Sequence, residues 1–224
     1  MRFLTRYLLL ALGLAGAASE ARAQYALSTL ATFNTANGSL PTPSLTFDSS
    51  GNMYGTTYEG GPYLAGTVFE IAAGSQALTT LVAFGGDIGG VGPYAGVTLD
   101  ASGNLYGTAY GGADGLGIVY EIAARTHVFT TLATFDGTNG KLPQSIVTLD
   151  ASGNLYGTTP YGGASGDGTV FEIAAGSHTL TTLVTFDGTN GASPQAGLTL
   201  DASGNLYGTA GGGANGDGTV FEIA

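Results

Sequence analysis

Apolar residues along this chain fall in short alternating runs bounded by turn-forming residues. Between residues 128 and 178 four such runs appear: Val128 to Phe135, Ser145 to Leu149, Asn154 to Thr158 and Thr169 to Ala174. They are rich in Thr, Val, Leu, Phe and Tyr and are separated by Gly, Asn, Asp and Pro, which predicts four short strands. None has the length or the 3.6-residue period of a helix.

The same four-strand pattern recurs. Leu27-Ser-Thr-Leu-Ala-Thr-Phe33 returns as Leu78 to Phe84, Phe129 to Phe135 and Leu180 to Phe186, each 51 residues on. Asp48-Ser-Ser-Gly-Asn-Met-Tyr-Gly-Thr56 returns from Asp100, Asp150 and Asp201, and Gly66-Thr-Val-Phe-Glu-Ile-Ala72 returns from Gly117, Gly168 and Gly218. A four-stranded antiparallel unit of this length, repeated, predicts an all-β fold, a β-propeller of four four-stranded blades. A β-helix has much shorter rungs, and a flat solenoid would leave edges exposed. The repeats divide one domain, residues 24–224, at about 26–76, 77–127, 128–178 and 179–224. The order of strands adds an expectation about closure. If the Leu27–Phe33 run is the outer strand of a blade, it completes the sheet whose inner strands are C-terminal, and the chain closes its own ring.

The turns have a chemistry of their own. Asp48, Asp100, Asp150 and Asp201 each begin a tight turn that a carboxylate caps, and Gly51, Gly103, Gly153 and Gly204 follow where a left-handed residue is needed. Longer loops join the first strand to the second and the second-last to the last. In the first repeat Tyr58-Glu-Gly-Gly-Pro-Tyr-Leu64, and in the second Gly85-Gly-Asp-Ile-Gly-Gly90, depart from their counterparts.

Before the repeats, Arg2 and Arg6, an apolar run from Leu8 to Ala18, and Ala21-Arg22-Ala23 make a secretory signal peptide over residues 1–23. The run is too short for a membrane span, and no later one reaches that length. Removing the leader leaves 2 basic and 15 acidic side chains, a net charge of about −13. Such a surface repels phosphate backbones and anionic membranes, so nucleic acid is excluded as a partner. With 40 Gly and 43% hydrophobic residues the chain is turn-rich yet able to form a core; without cysteine it has no disulfide, thiol nucleophile or thiolate metal site.

The three recurring motifs together resemble the GloVer tandem-repeat family of secreted bacterial proteins, over essentially all of the mature chain. The resemblance implies a propeller-like protein that is exported to the periplasm, the medium or the cell surface. The Asp-x-x-Gly-Asn-Leu-Tyr turn is also similar to that of NHL-type propellers.

Candidate chemistry is sparse. Glu70, Glu121, Glu172 and Glu222 recur inside an apolar strand, where a carboxylate must be solvated or hydrogen-bonded. Four related acids around a channel would form a structural cation site; no other cofactor is expected. The Gly-rich loops lack the spacing of calcium loops, and His127 and His178 sit at turns without further ligands. There is no nucleophile elbow and no phosphate loop. Tyr58, Tyr63, Tyr94, Tyr110 and Tyr161 lie in or beside the variable loops, where aromatic rings can stack on sugars. The reading is a scaffold that binds a protein or glycan through loops on one face, as a monomer or a ring-completing homo-oligomer. The alternatives are an extracellular polymer-degrading lyase or hydrolase, and a purely structural surface component.

Overall fold

The computed structural model describes residues 26–88, 91–112 and 114–224. The expected leader lies outside them. Among the described residues sixteen strands form four separate antiparallel sheets, the first three each taking their outer strand from the start of the next repeat. The first sheet holds β1 (Ser39–Pro41), β2 (Thr46–Phe47), β3 (Met53–Glu59), β4 (Thr67–Ile71) and β5 (Leu78–Ala83). The second holds β6 (Thr98–Leu99), β7 (Leu105–Ala109), β8 (Ile118–Ile122) and β9 (Phe129–Thr134). The third holds β10 (Thr148–Leu149), β11 (Leu155–Thr159), β12 (Thr169–Ile173) and β13 (Leu180–Thr185), and the fourth β14 (Thr199–Leu200), β15 (Leu206–Ala210) and β16 (Thr219–Ile223). One 3-10 turn, Gly86–Ile88, accompanies them.

The sheets are the blades of a β-propeller, and each packs its trailing face on the leading face of the next. Val68, Val82 and Phe84 of the first sheet meet Val97, Leu105, Ile118, Tyr120 and Ile122 of the second. Equivalent clusters fill the two later junctions. Each junction is pinned by an edge-on aromatic pair: Phe84–Tyr120 at 5.4 Å, Phe135–Phe171 at 5.1 Å and Phe186–Phe221 at 5.3 Å between centroids. Burying one such ring stabilises by about 1.5–3 kcal/mol, so packing dominates this cysteine-free fold. The ring needs room, which explains the glycine of each Tyr-Gly-Thr: a Cβ on Gly157 would stand 2.5 Å from the Phe171 ring.

The two-residue strands β2, β6 and β10 tie each sheet to the next. Their threonine hydroxyls reach the next sheet: Thr46 and Thr98 donate to the carbonyls of Val97 and Val147, and Thr148 to that of Leu198 at 2.6 Å. Because strands alternate in direction, the propeller has two distinct ends. The Asp turns and the turns between third and fourth strands share one end. The loops between second and third strands, and those leading to the next sheet, share the other.

Closure of the ring is not seen among the described residues. Residues 26–33 adopt no strand, and the fourth sheet ends on β16 with three strands. Val220 on β16 is 81% exposed, whereas its counterparts Val68, Val119 and Val170 are fully buried. The fourth sheet thus has a bare outer edge and face among the described residues. A strand sequence becomes a strand only against an edge, and residues 26–33 have none beside them here.

Candidate functional site

At the Asp-turn end the four repeats are built alike. In the third, Asp150 Oδ1 accepts the amides of Ser152 and Asn154 at 2.8 Å, and Oδ2 accepts Asn154 Nδ2 at 2.8 Å and the Tyr156 hydroxyl at 3.2 Å. Asp48, Asp100 and Asp201 make the same set with Tyr54, Tyr106 and Tyr207. Gly51, Gly103, Gly153 and Gly204 carry φ of 84–92° in the turn. Asn154 Oδ1 also accepts the amide of Ala175 at 2.9 Å, tying the two turns of this end together. Burial opposes ionisation of Asp48 and Asp150, but these hydrogen bonds outweigh it and hold both carboxyls below their ordinary range.

The four glutamates stand on β4, β8, β12 and β16, one per sheet, each in register with the tyrosine of the neighbouring strand. Tyr207 donates to Glu222 Oε1 at 2.7 Å, and Tyr156 to Glu172 Oε1 at 3.4 Å. Each glutamate thus faces its own sheet's Tyr–Asp network. Among the described residues no group of three or more His, Asp or Glu is placed to hold a metal ion.

The opposite end is where the repeats diverge, and there the structure gathers three of the five sequence-predicted tyrosines. Tyr58 is the penultimate residue of β3, Tyr94 stands on the loop entering the second sheet, and Tyr110 follows β7. Tyr58 and Tyr94 lie with ring centroids 4.4 Å apart, and Tyr94 and Tyr110 4.3 Å apart. The Tyr94 hydroxyl donates to that of Tyr58 at 2.8 Å. This bond, with partial burial, pushes the Tyr94 phenol up to about 12. The row continues into the third repeat, where Gln144 Nε2 donates to the Tyr110 hydroxyl. Beyond it Lys141 Nζ stands 6.0 Å over the ring of Tyr161. Burial and the nearby Tyr161 and Tyr58 also raise the Tyr110 phenol, despite the donor at Gln144. Tyr94 and Tyr161 keep 38% and 42% of their surface exposed. Tyr63 lies elsewhere in the same loop system, over the Gly85–Gly86 turn.

The row rests on strand-borne anchors. Thr56 on β3, fully buried, donates to the carbonyl of Ala95 at 2.9 Å and so fixes the backbone next to Tyr94. Thr108 and Thr158 do the same for Ser145 and Ala196 at 3.0 Å. The amides of Val91 and Gly92 bond to the carbonyls of Tyr110 and Ala65. Gly92 has φ 51°, and a Cβ there would meet the Tyr58 ring at 2.5 Å. The other repeats place Leu40, Leu142 and Ser193 at this left-handed position, so glycine is needed here for the ring rather than for the backbone.

Gln144, Lys141 and Gly92 escape a reading by residue type alone. Their signal is positional: Gln144 and Gln195 replace Tyr94 when the repeats are aligned, and Gly92 replaces a residue with a side chain. In the fourth repeat Gly211 stands where Tyr110 does in the second. There the row gives way to a hollow of about 390 Å³ lined by Ser193, Gln195, Ala196, Thr209, Ala210 and Gly211.

Among solved structures the chain is similar to the extracellular domain of a one-component system from B. thetaiotaomicron, with 12% identity and a TM-score of 0.54 over 84% of this chain and 22% of that one. It is similar to a chain of the nidogen/laminin complex, with 19% identity and a TM-score of 0.55 over 80% and 63%. TolB from Acinetobacter baumannii aligns at 13% identity and a TM-score of 0.52 over 76% and 37%. At these identities the likeness speaks for the propeller fold alone, and the chain spans less than two thirds of each structure. No curated protein matches it by sequence. The Gloeobacter/Verrucomicrobia repeat matches residues 16–221, and the chain belongs to that repeat family.

Proposed function

We propose that this protein is an exported binding module whose tyrosine row docks the sugar rings of an uncharged glycan. The observation that carries the reading is the row itself: the tilted rings of Tyr58, Tyr94 and Tyr110, from two adjacent repeats, pack together on one end of the propeller, with Tyr94 hydrogen-bonded to Tyr58 and exposed Tyr94 and Tyr161 at its surface. Aromatic rings offer an apolar platform for a sugar's C–H face, and the Tyr, Gln and Lys polar groups along the row supply hydrogen bonds to hydroxyls. A track spread over neighbouring sheets suits a chain of sugar units better than a small metabolite. The acidic surface disfavours an anionic polymer. Two of the chains it is similar to are extracellular domains by their names, which supports export.

The test is titration of the purified protein against soluble neutral polysaccharides by calorimetry. Tyr94→Ala removes the central platform and is expected to weaken binding about tenfold, equivalent to about 1.4 kcal/mol. Binding that survives this change, or that is confined to charged polymers, overturns the reading.

A further inference from the structure

We propose that Tyr58 and Tyr94 are a site of oxidative coupling, at which hydrogen peroxide acting through a haem peroxidase joins the two rings by a carbon–carbon bond between their ortho positions. The bond ties the first sheet to the loop that enters the second, and it does not depend on what the tyrosine row binds.

The pair already has the layout of the product. In an ortho-coupled biphenol the two hydroxyls sit side by side, one donating to the other, and the rings are twisted about the bond between them. Here the Tyr94 hydroxyl donates to that of Tyr58 at 2.8 Å, the ring centroids are 4.4 Å apart and the planes are inclined by 57°. The ortho carbons flank these hydroxyls, so hydroxyl contact draws together the atoms that must join, as a near-attack arrangement requires. Both partners are held from behind. The Cε2 edge of Tyr58 lies against the bare backbone of Gly92, where a Cβ would stand 2.5 Å away, and Thr56 fixes the carbonyl of Ala95 beside Tyr94.

Composition directs oxidation to the tyrosines. Cysteine and tryptophan, which compete with tyrosine as one-electron donors, do not occur in the sequence, and Met53 is its sole methionine besides Met1. Tyr94 keeps 38% of its surface exposed, which gives an oxidant access to the pair. Tyr110 lies as near to Tyr94, at 4.3 Å between centroids, but its hydroxyl is engaged by Gln144 and not by Tyr94. Hydroxyl pairing therefore selects Tyr58 as the partner of Tyr94.

Each phenol gives up one electron and its hydroxyl proton. The two phenoxyl radicals, whose unpaired spin reaches the ortho carbons, combine to form the carbon–carbon bond. Each joined carbon then loses its hydrogen, which returns as a proton to the oxygen of the same ring and restores the aromatic system. In all, two hydrogens leave the protein, and their two electrons and two protons convert one hydrogen peroxide into two waters. The link closes a 36-residue span and supplies a chain without cysteine with a covalent tie that a disulfide cannot give it.

The test treats the dilute, full-length protein with a haem peroxidase and hydrogen peroxide, followed by intact mass and peptide mapping. The expected product is a single chain lighter by two hydrogens, with the blue fluorescence of a biphenol, in which the peptides carrying Tyr58 and Tyr94 are joined. The link is expected to vanish in Tyr58→Phe and in Tyr94→Phe and to persist in Tyr110→Phe. Phenylalanine keeps each ring, and an unchanged circular dichroism spectrum shows that the sheets are intact in all three. A link that forms in Tyr94→Phe as in the native chain overturns the proposal. So does coupling confined to products between chains through the exposed Tyr63 or Tyr161, and so does an unchanged mass.

Discussion

The two ends of the propeller are made from the same repeat and obey opposite rules. At one end four Asp turns make the same hydrogen bonds to within 0.1 Å or so, as Asp48, Asp100, Asp150 and Asp201 to their Asn partners show (2.8–2.9 Å). At the other, equivalent positions hold Tyr94, Gln144 and Gln195, or Tyr110 and Gly211, and the contacts change from sheet to sheet. Identical copies of a polar network are what a structural role requires in every blade. Divergence on a shared scaffold concentrates chemistry at one place, here the junction of the first and second sheets. In a repeat protein the departures from the repeat point to the site.

The largest effect should come from the uniform end. Asp150→Ala strands two amides, the Asn154 side chain and the Tyr156 hydroxyl together. Loss of a charged acceptor for several donors is expected to destabilise by about 3 kcal/mol, lowering the melting temperature by roughly 10 °C for a domain of this size. Glycan affinity of the still-folded protein should stay within about twofold, since the turn lies at the far end of the sheet. A thermal melt paired with calorimetry reads both. An affinity loss as large as that of Tyr94→Ala would show that the two ends are not independent.

Gly92→Ala tests the other end with a smaller perturbation. The left-handed backbone is tolerated by Leu40, Leu142 and Ser193 in the sister repeats, so the strain of adding a Cβ is about 1 kcal/mol. The specific consequence is steric, because the new methyl meets the Tyr58 ring. Affinity for glycan is expected to fall severalfold with a melting shift of only a few degrees. The same substitution in reverse, Leu142→Gly, should leave affinity unchanged, which separates ring displacement from loop flexibility.

How far these features can be read from the sequence follows from where their causes lie. The short strands within each repeat and the Asp turns depend on neighbours a few residues away, so spacing and turn residues suffice to place them. The Leu27–Phe33 segment shows the limit. Its sequence matches β5, β9 and β13, yet pairing depends on an edge that no local pattern encodes. The tyrosine row has the same character. Tyr58 meets Tyr94 across 36 residues, while Tyr63, five residues from Tyr58, turns to the Gly85–Gly86 turn instead. Residue type marks all five tyrosines as candidates; only the packing of adjacent sheets sorts them. Gly92 becomes legible once repeats are aligned, because a missing side chain makes room for one from another repeat.

The finest test of the divergent end concerns a single hydroxyl. Tyr58→Phe keeps the ring and its tilted packing on Tyr94 but removes the acceptor of the Tyr94 hydroxyl. That hydrogen bond is the leading cause of the raised Tyr94 phenol, ahead of burial, so its titration should move from about 12 toward the ordinary value near 10. NMR of ring-labelled tyrosine, with Tyr94→Phe to assign the signal, follows the change. The sign fixes the window for stability. A phenol whose folded value is raised contributes fully below the unfolded value near 10 and loses its contribution as pH climbs through the folded one. Tyr58→Phe should therefore lower stability slightly at pH 8, by well under about 1 kcal/mol for one partly exposed neutral hydrogen bond, and should shrink the extra loss expected of the native protein between pH 10 and 12. An unmoved Tyr94 titration would mean that ring packing alone aligns the row, and the tyrosines would then act as a passive apolar platform rather than a hydrogen-bonded one.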